Sequence, residues 1–73
     1  MNTINLHINE TLGRREFNIL RAALLSTSHV RDVHYNTTLP HDMLVEFDEH
    51  ENVPMHVLGV MQEQGLHADI VGG

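Results

Sequence analysis

The apolar residues change their spacing once near the start of the sequence, and this change limits the folds open to the chain. Ile4, Leu6 and Ile8 alternate with polar residues, which is the period of a half-buried strand. The next apolar residues follow helical spacing, and the predicted buried face consists of Phe17, Leu20, Ala23 and Leu24, widened by Ile19. The pattern therefore predicts a strand over residues 3–9 and a helix over residues 13–26, joined by a short loop.

The rest of the chain contains two more alternating stretches, a second helical stretch and a final strand. The predicted elements are a strand over residues 29–36, a hairpin connection over 36–40, a strand over 41–48, a helix from Val53-Pro54 and a strand over 66–71. Gly65 is expected to cap the end of the second helix, since glycine favours that position.

This order of elements, βαββαβ, predicts a ferredoxin-like α+β sandwich. Two right-handed crossovers give a four-stranded antiparallel sheet in the order 4-1-3-2, with both helices on one face. Strand parity predicts the residues beneath the helices: Ile4, Leu6, Ile8, Val33, Tyr35, Met43, Val45, Phe47, Ala68 and Ile70. The same parity places His7, His34, Leu44, Glu46, His67 and Asp69 on the open face.

The composition narrows the classes of function. The 73 residues are expected to form a single domain, residues 1–73. The chain has no cysteine, which excludes disulfides and thiolate metal sites. Its formal net charge is −6 and it has no lysine, which argues against nucleic acid as a partner. No signal peptide or long apolar stretch is evident, so a cytoplasmic location without membrane insertion is the default expectation.

The chain resembles the heavy-metal-associated, copper-chaperone-like domain family over nearly its whole length. Ala23-Leu24 and residues 29–36 look like that family's "AL…GVxxVxVN" stretch, and residues 43–48 look like its "VTVxYD" strand. Pro54, Leu58 and Gly65-Leu66 occupy the positions of its helix 2 proline, a core aliphatic residue and its "GY" turn. The resemblance implies the ferredoxin-like fold and a role in metal binding or metal trafficking.

The family's metal motif, GMxCxxC, is absent from the first loop. In the same register its methionine falls on Thr11 and its two cysteines fall on Gly13 and Glu16. Glycine and glutamate do not replace two thiolates as ligands of a soft ion. The resemblance therefore implies either a lost site or a site built from other donors.

Seven histidines in a chain of this length provide such donors. The topology brings the end of the first strand and the starts of the third and fourth strands to the pole that carries the first loop. The candidate ligands at this pole are His7, His67, Glu10, Glu16 and His41. We expect His7 and His67 to be cross-strand neighbours. They are either two solvated histidines on the exposed sheet face or ligands that share a divalent ion such as Zn, Ni, Co or Cu, with Asp42, Glu10 or Asp69 as a possible third ligand.

A second group, His50 and His56 with neighbouring carboxylates, is expected at the opposite pole as a solvated charged loop, with a weak cation site as the alternative. It does not match a calcium loop, because the alternating ligands and the terminal glutamate are missing. No nucleophile setting and no glycine-rich phosphate loop is recognisable, so the sequence does not predict an enzyme.

Three functions remain open from the sequence. The first is a small metal-binding or metal-trafficking protein that passes its ion to a transporter or target protein. The second is a metal-independent interaction module that uses the open face around Leu44, or the edge strands 2 and 4. The third is a pH-responsive adaptor or dimer, since histidines on one face repel each other when protonated. The expected assembly is a monomer or a weak homodimer.

Overall fold

Four antiparallel strands form one sheet, and two helices cover one of its faces. The computed structural model describes residues 2–35, 41–50 and 52–72. The elements are β1 Asn2–Ile8, α1 Arg14–Leu25, β2 Val30–Tyr35, β3 Asp42–Phe47, α2 Val53–Glu63 and β4 Ala68–Gly72. The predicted elements are thus confirmed to within two residues at the bounds that the structure describes; the predicted hairpin over residues 36–40 lies outside the described residues.

The sheet order is β2-β3-β1-β4, which confirms the predicted order and the ferredoxin-like α+β class. β1 lies inside the sheet and pairs with a strand on each side. Its pairs with β3 run from Asn2 opposite Phe47 to His7 opposite Asp42, and its pairs with β4 run from Asn5 opposite Gly72 to Ile8 opposite Ala68. The register with β4 shifts between Asn5 and Leu6, so this pairing contains an irregularity.

The core lies between the sheet and the helices. Its buried residues are Ile4, Leu6, Ile8, Leu12, Leu20, Leu24, Val30, Val33, Met43, Val45, Phe47, Val53, Val57 and Met61. Most of the predicted inward set is therefore buried. Tyr35 and Ala68 are half-buried, and Ile70 is 43% exposed although it pairs with the core residue Leu6. Ile70 is exposed because β4 is an outer strand, so one side of it has no neighbouring strand among the described residues.

Two residues of the loops and helices depart from the predicted pattern. The prediction that Ile19 widens the buried face of α1 is wrong, because Ile19 is 55% exposed while the adjacent Leu20 is 1% exposed. A turn of 100° per residue carries Ile19 beyond the stripe formed by Leu20 and Leu24. Leu12, in the loop before α1, is buried instead and closes the core at that end.

Gly65 ends α2 as predicted. Its φ of 77° is the left-handed conformation that glycine adopts without steric cost. The Gly65 N–H donates to the Gln62 carbonyl and the Leu66 N–H donates to the Met61 carbonyl, which is the hydrogen-bond pattern of a Schellman motif. The motif turns the chain directly into β4 and so places His67 at the start of that strand. Neither helix of the described chain has the length and apolar character to cross a membrane.

The adjacent pair Leu20 and Ile19 tests this description of α1. Leu20→Ala should lower the free energy of unfolding by about 2–5 kcal/mol, because it leaves a cavity in the core. Ile19→Ala should change it by less than about 1 kcal/mol, since the side chain is mostly in solvent. Urea unfolding followed by circular dichroism measures both, and equal losses would contradict the assigned core face.

Candidate functional site

Three segments meet at the end of β1 through backbone hydrogen bonds. The Ile8 N–H donates to the His41 carbonyl at 2.8 Å, and the Asn9 N–H donates to the His67 carbonyl at 2.8 Å. These two bonds anchor the start of β3 and the start of β4 on either side of the first loop. The pole that results, which we call the histidine pole, consists of His7, Glu10, His41, Asp42 and His67.

His7 is held by a carboxylate on the neighbouring strand. Its Nδ1 lies 3.2 Å from Asp42 Oδ1, and both side chains are partly exposed. In the sheet register His7 lies opposite Asp42 on β3 and opposite Asp69 on β4. The sequence had suggested His67 as its cross-strand partner. This pairing is wrong, because the register sets His7 opposite Asp69, and the Asn9–His67 hydrogen bond places His67 beside Asn9, just beyond the end of β1.

His41 is oriented by the backbone of the first loop. Its Nδ1 lies 2.9 Å from the Ile8 carbonyl oxygen and 3.2 Å from the Glu10 carbonyl oxygen. The rings of His41 and His7 are neighbours, with centroids 5.7 Å apart and planes tilted by 41°. The structure therefore brings His7 together with His41.

Glu10 and His67 form a tight pair on the other side of the loop. One carboxylate oxygen of Glu10 accepts the His67 backbone N–H at 2.8 Å, and the other lies 2.6 Å from His67 Nδ1. The His67 backbone and then its ring lower the pKa of Glu10, and the hydrogen bond to Glu10 raises the pKa of His67. Glu10 is thus a carboxylate that orients an imidazole.

The three imidazoles share one hydrogen-bonding pattern. In each ring Nδ1 faces a carbonyl or carboxylate oxygen, and these oxygens only accept hydrogen bonds. Nδ1 therefore carries the proton, and in the neutral ring Nε2 holds the lone pair. Metal-binding histidines in proteins use this arrangement, because the anchored Nδ1–H fixes the tautomer and the ring orientation.

Glu16, the remaining candidate ligand, follows the first loop in the chain and belongs to α1. It occupies the first turn of α1, and its carboxylate oxygens lie 3.2 Å from the position that a Cβ on Gly13 would take. A negative side chain in the first turn stabilises a helix. Within residues 2–35, 41–50 and 52–72, no group of three or more potential ligand side chains is close enough to hold a metal ion.

The other histidines have different surroundings. His29 and His50 stack at the opposite pole, with ring centroids 3.9 Å apart and planes within 11°. His56 is exposed on α2, and the Nε2 atom of His34 lies beside the carboxylates of Glu46 and Asp32. The sequence did not predict the stacking of His50 on His29. The backbone of His29 has a φ of 72°, in the left-handed region.

Comparison with known proteins identifies the fold. No family model matches the sequence, and no curated protein matches it. The structure is similar to the yeast copper transporter domain Ccc2a, with a TM-score of 0.84 and 13% identity over 97% of this chain and 96% of that one. It is also similar to the PacS N-terminal domain from Synechocystis PCC6803 (TM-score 0.80, 18% identity, 97% and 98% of the chains). Oxidized MerP from Ralstonia metallidurans gives a TM-score of 0.81 at 13% identity over 96% of each chain. The chain therefore has the fold of heavy-metal-associated copper chaperone and transporter domains.

The Glu10–His67 pair predicts a defined pH dependence. Glu10→Gln should lower the pKa of His67 toward its ordinary value of 6.5, because the charged acceptor is lost. The pair should stabilise the fold most at pH values between the unfolded-state pKa of Glu10 and the unfolded-state pKa of His67. The His67 contribution is complete below its unfolded pKa and is lost as pH rises through its raised pKa. The Glu10 contribution is complete above its unfolded pKa and is lost as pH falls through its lowered pKa.

An NMR titration of the His67 ring protons measures this shift. Glu49→Gln is the matched control, since it removes the same charge from the loop after β3, near the opposite pole, and should leave the pKa of His67 unchanged. An equal shift in both variants would mean that net charge, and not the hydrogen bond, sets the pKa of His67.

Proposed function

We propose that this protein reversibly binds a divalent transition metal ion such as Zn²⁺, Ni²⁺, Co²⁺ or Cu²⁺ at the histidine pole and carries it to a partner protein. The observation that carries the proposal is the common orientation of His7, His41 and His67, each with Nδ1 on an oxygen acceptor. This orientation leaves Nε2 as the metal-binding atom of the neutral ring.

The fold supports a metal-associated role. The similar structures include a copper transporter domain described in apo and Cu(I)-loaded states and a copper binding domain of a P-type ATPase. The first loop, which in the resembled family carries the metal motif, here adjoins the histidine pole through Glu10. The proposed site therefore occupies the same end of the same fold.

The donor atoms favour a different class of ion from a thiolate site. The chain has no cysteine, and the positions that correspond to the family's cysteines hold Gly13 and Glu16. Imidazole nitrogen and carboxylate oxygen suit zinc, nickel, cobalt and Cu(II), whereas soft thiolates select Cu(I). A Cu(I) site of two thiolates does not fit these residues.

His7 and His41 have a separation suitable for binding one ion. With metal–nitrogen bonds of ~2.1 Å and a tetrahedral angle, two imidazoles bound to one ion have ring centroids ~5 Å apart. The observed 5.7 Å between the centroids of His7 and His41 is within about 1 Å of that separation. His67, whose side chain is 78% exposed and whose Nδ1 is held by Glu10, is the third candidate ligand.

The carboxylates then have a supporting role. Asp42 positions His7 and Glu10 positions His67, because their oxygens already hold the Nδ1–H groups. Glu16 is the least direct of the candidate ligands, since its carboxylate lies over Gly13 at the start of α1. An ion with two or three imidazole ligands keeps coordination positions for water or for a ligand from a partner, which suits transfer better than permanent storage.

A titration with Zn²⁺, Ni²⁺, Co²⁺ and Cu²⁺ followed by ¹⁵N–¹H NMR tests the proposal. Saturable shifts are expected at His7, His41, His67 and residues 8–13. His7→Ala and His41→Ala should each weaken binding by at least about tenfold, because each removes a ligand. His50→Ala and His56→Ala are matched controls away from the histidine pole and should leave the affinity within about twofold.

Two outcomes would contradict the proposed function. Shifts confined to His29, His50 and His56 would move the site away from the histidine pole. An absence of saturable shifts up to about millimolar metal, corresponding to a binding free energy weaker than about −4 kcal/mol, would leave the metal-independent interaction module as the function of this scaffold.

A further inference from the structure

The end of the molecule opposite the histidine pole contains a stacked pair of imidazole rings. The rings of His29 and His50 have centroids 3.9 Å apart and planes within 11°. His29 directly precedes β2 and His50 follows β3, so the stack joins the α1–β2 loop to the loop that leads into α2. Neither histidine belongs to the proposed metal site, and the stack is therefore a separate feature of the molecule.

The backbone of His29 shows that the stack is held at a cost. Its φ of 72° lies in the left-handed region, which is unfavourable for a residue that carries a side chain. In the pattern of the resembled family this position is a glycine, which adopts the conformation without strain. A titratable ring at a strained position where glycine fits better indicates that the ring itself is used.

A backbone hydrogen bond connects the same two loops. The Asp48 N–H donates to the His29 carbonyl at 2.8 Å, and the Asp48 carboxylate accepts a hydrogen bond from Arg31 Nε at 2.8 Å. At the other end of the second loop, Asn52 has a φ of 67° and begins α2 without a side-chain cap. The stack thus holds one end of a loop whose other end is not fixed by a capping side chain.

We propose that the His29–His50 stack is an acid-sensitive switch, which holds the β3–α2 loop in place while at least one ring is neutral and releases it when both rings are protonated. Two neutral rings, or a charged ring on a neutral one, attract each other when stacked. Two imidazolium cations at the same separation repel each other. Histidine changes its charge between about pH 8 and pH 5, so the switch operates in the physiological range.

The charged groups around the stack modify this repulsion but do not remove it. The charged or titratable residues that adjoin the two loops in the chain are Arg31, Asp48, Glu49, Glu51 and His56, and β1 adds no charged side chain at this end. Arg31 offsets the charge of Asp48 through the ion pair between them. Glu49 is exposed, so water and salt screen its attraction for the rings. His56, on α2, gains a positive charge in the same pH range.

Amide hydrogen exchange of the full chain in EDTA, between about pH 7.5 and pH 5, tests the proposal. The reporter is the Asp48 amide, because its hydrogen bond to His29 joins the two loops. Its protection factor should fall by at least about fivefold, which is the effect of two unit charges about 4 Å apart in water. The amide of Val45, which is fully buried in the same strand, should keep its protection within about twofold.

Variants separate the effect of charge from the effect of packing. His50→Phe keeps a ring that stacks on His29 but cannot be protonated, so the Asp48 protection factor should change by less than about twofold over the same pH range. His29→Gly removes one ring, keeps the left-handed backbone and should also abolish the response. His56→Ala is the matched control, since it removes a histidine outside the stack and should leave the fivefold response in place.

Three results would overturn the proposal. They are an Asp48 protection factor that does not change with pH in the unaltered protein, an equal loss of protection at Val45, and a full response in His50→Phe. The measurement contains no metal ion and reads a contact at the opposite pole. The proposed switch and the proposed metal site can therefore fail independently of each other.

Discussion

The pairing of β1 on both of its sides is the constraint on which the rest of the structure depends. Leu6 is fully buried between the sheet and the helices, and its neighbours on β3 and β4 are Met43 and Ile70. Because the ladders with β3 and β4 both extend to the C-terminal end of β1, the chain segments that precede those strands meet there. The position of the histidine pole is therefore a consequence of the central strand.

At that pole, polar groups satisfy each other at the surface and require no buried charge. Glu10 accepts two hydrogen bonds from His67, Asp42 accepts one from His7, and His41 donates to the backbone of the loop. Such bonds add little to stability where water competes. Their larger effect is to restrict the rotamers and tautomers of three imidazoles, which is the preorganisation that a binding site needs.

The pole after β1 and the two outer strands, β2 and β4, have different chemistry. Metal binding would use the pole after β1, where donor atoms are concentrated. β4 has one charge and two exposed aliphatic side chains, and its pairing with β1 is irregular at Val71. On β2, by contrast, Arg31 forms an ion pair with Asp48 and the His34 ring lies beside Glu46, which leaves little apolar edge.

The sequence by itself determined the order of elements, the sheet topology, the Gly65 cap and most of the core, because these follow from periodicity and glycine geometry that are local in the chain. It also placed His7, His41 and His67 at one pole. Only the tertiary structure decided that His7 lies beside His41 and that Glu10 holds His67, since these contacts depend on the register between strands distant in sequence. The exposure of Ile19 and Ile70 was likewise decided by packing, because periodicity identifies a face but not how far the neighbouring elements cover it.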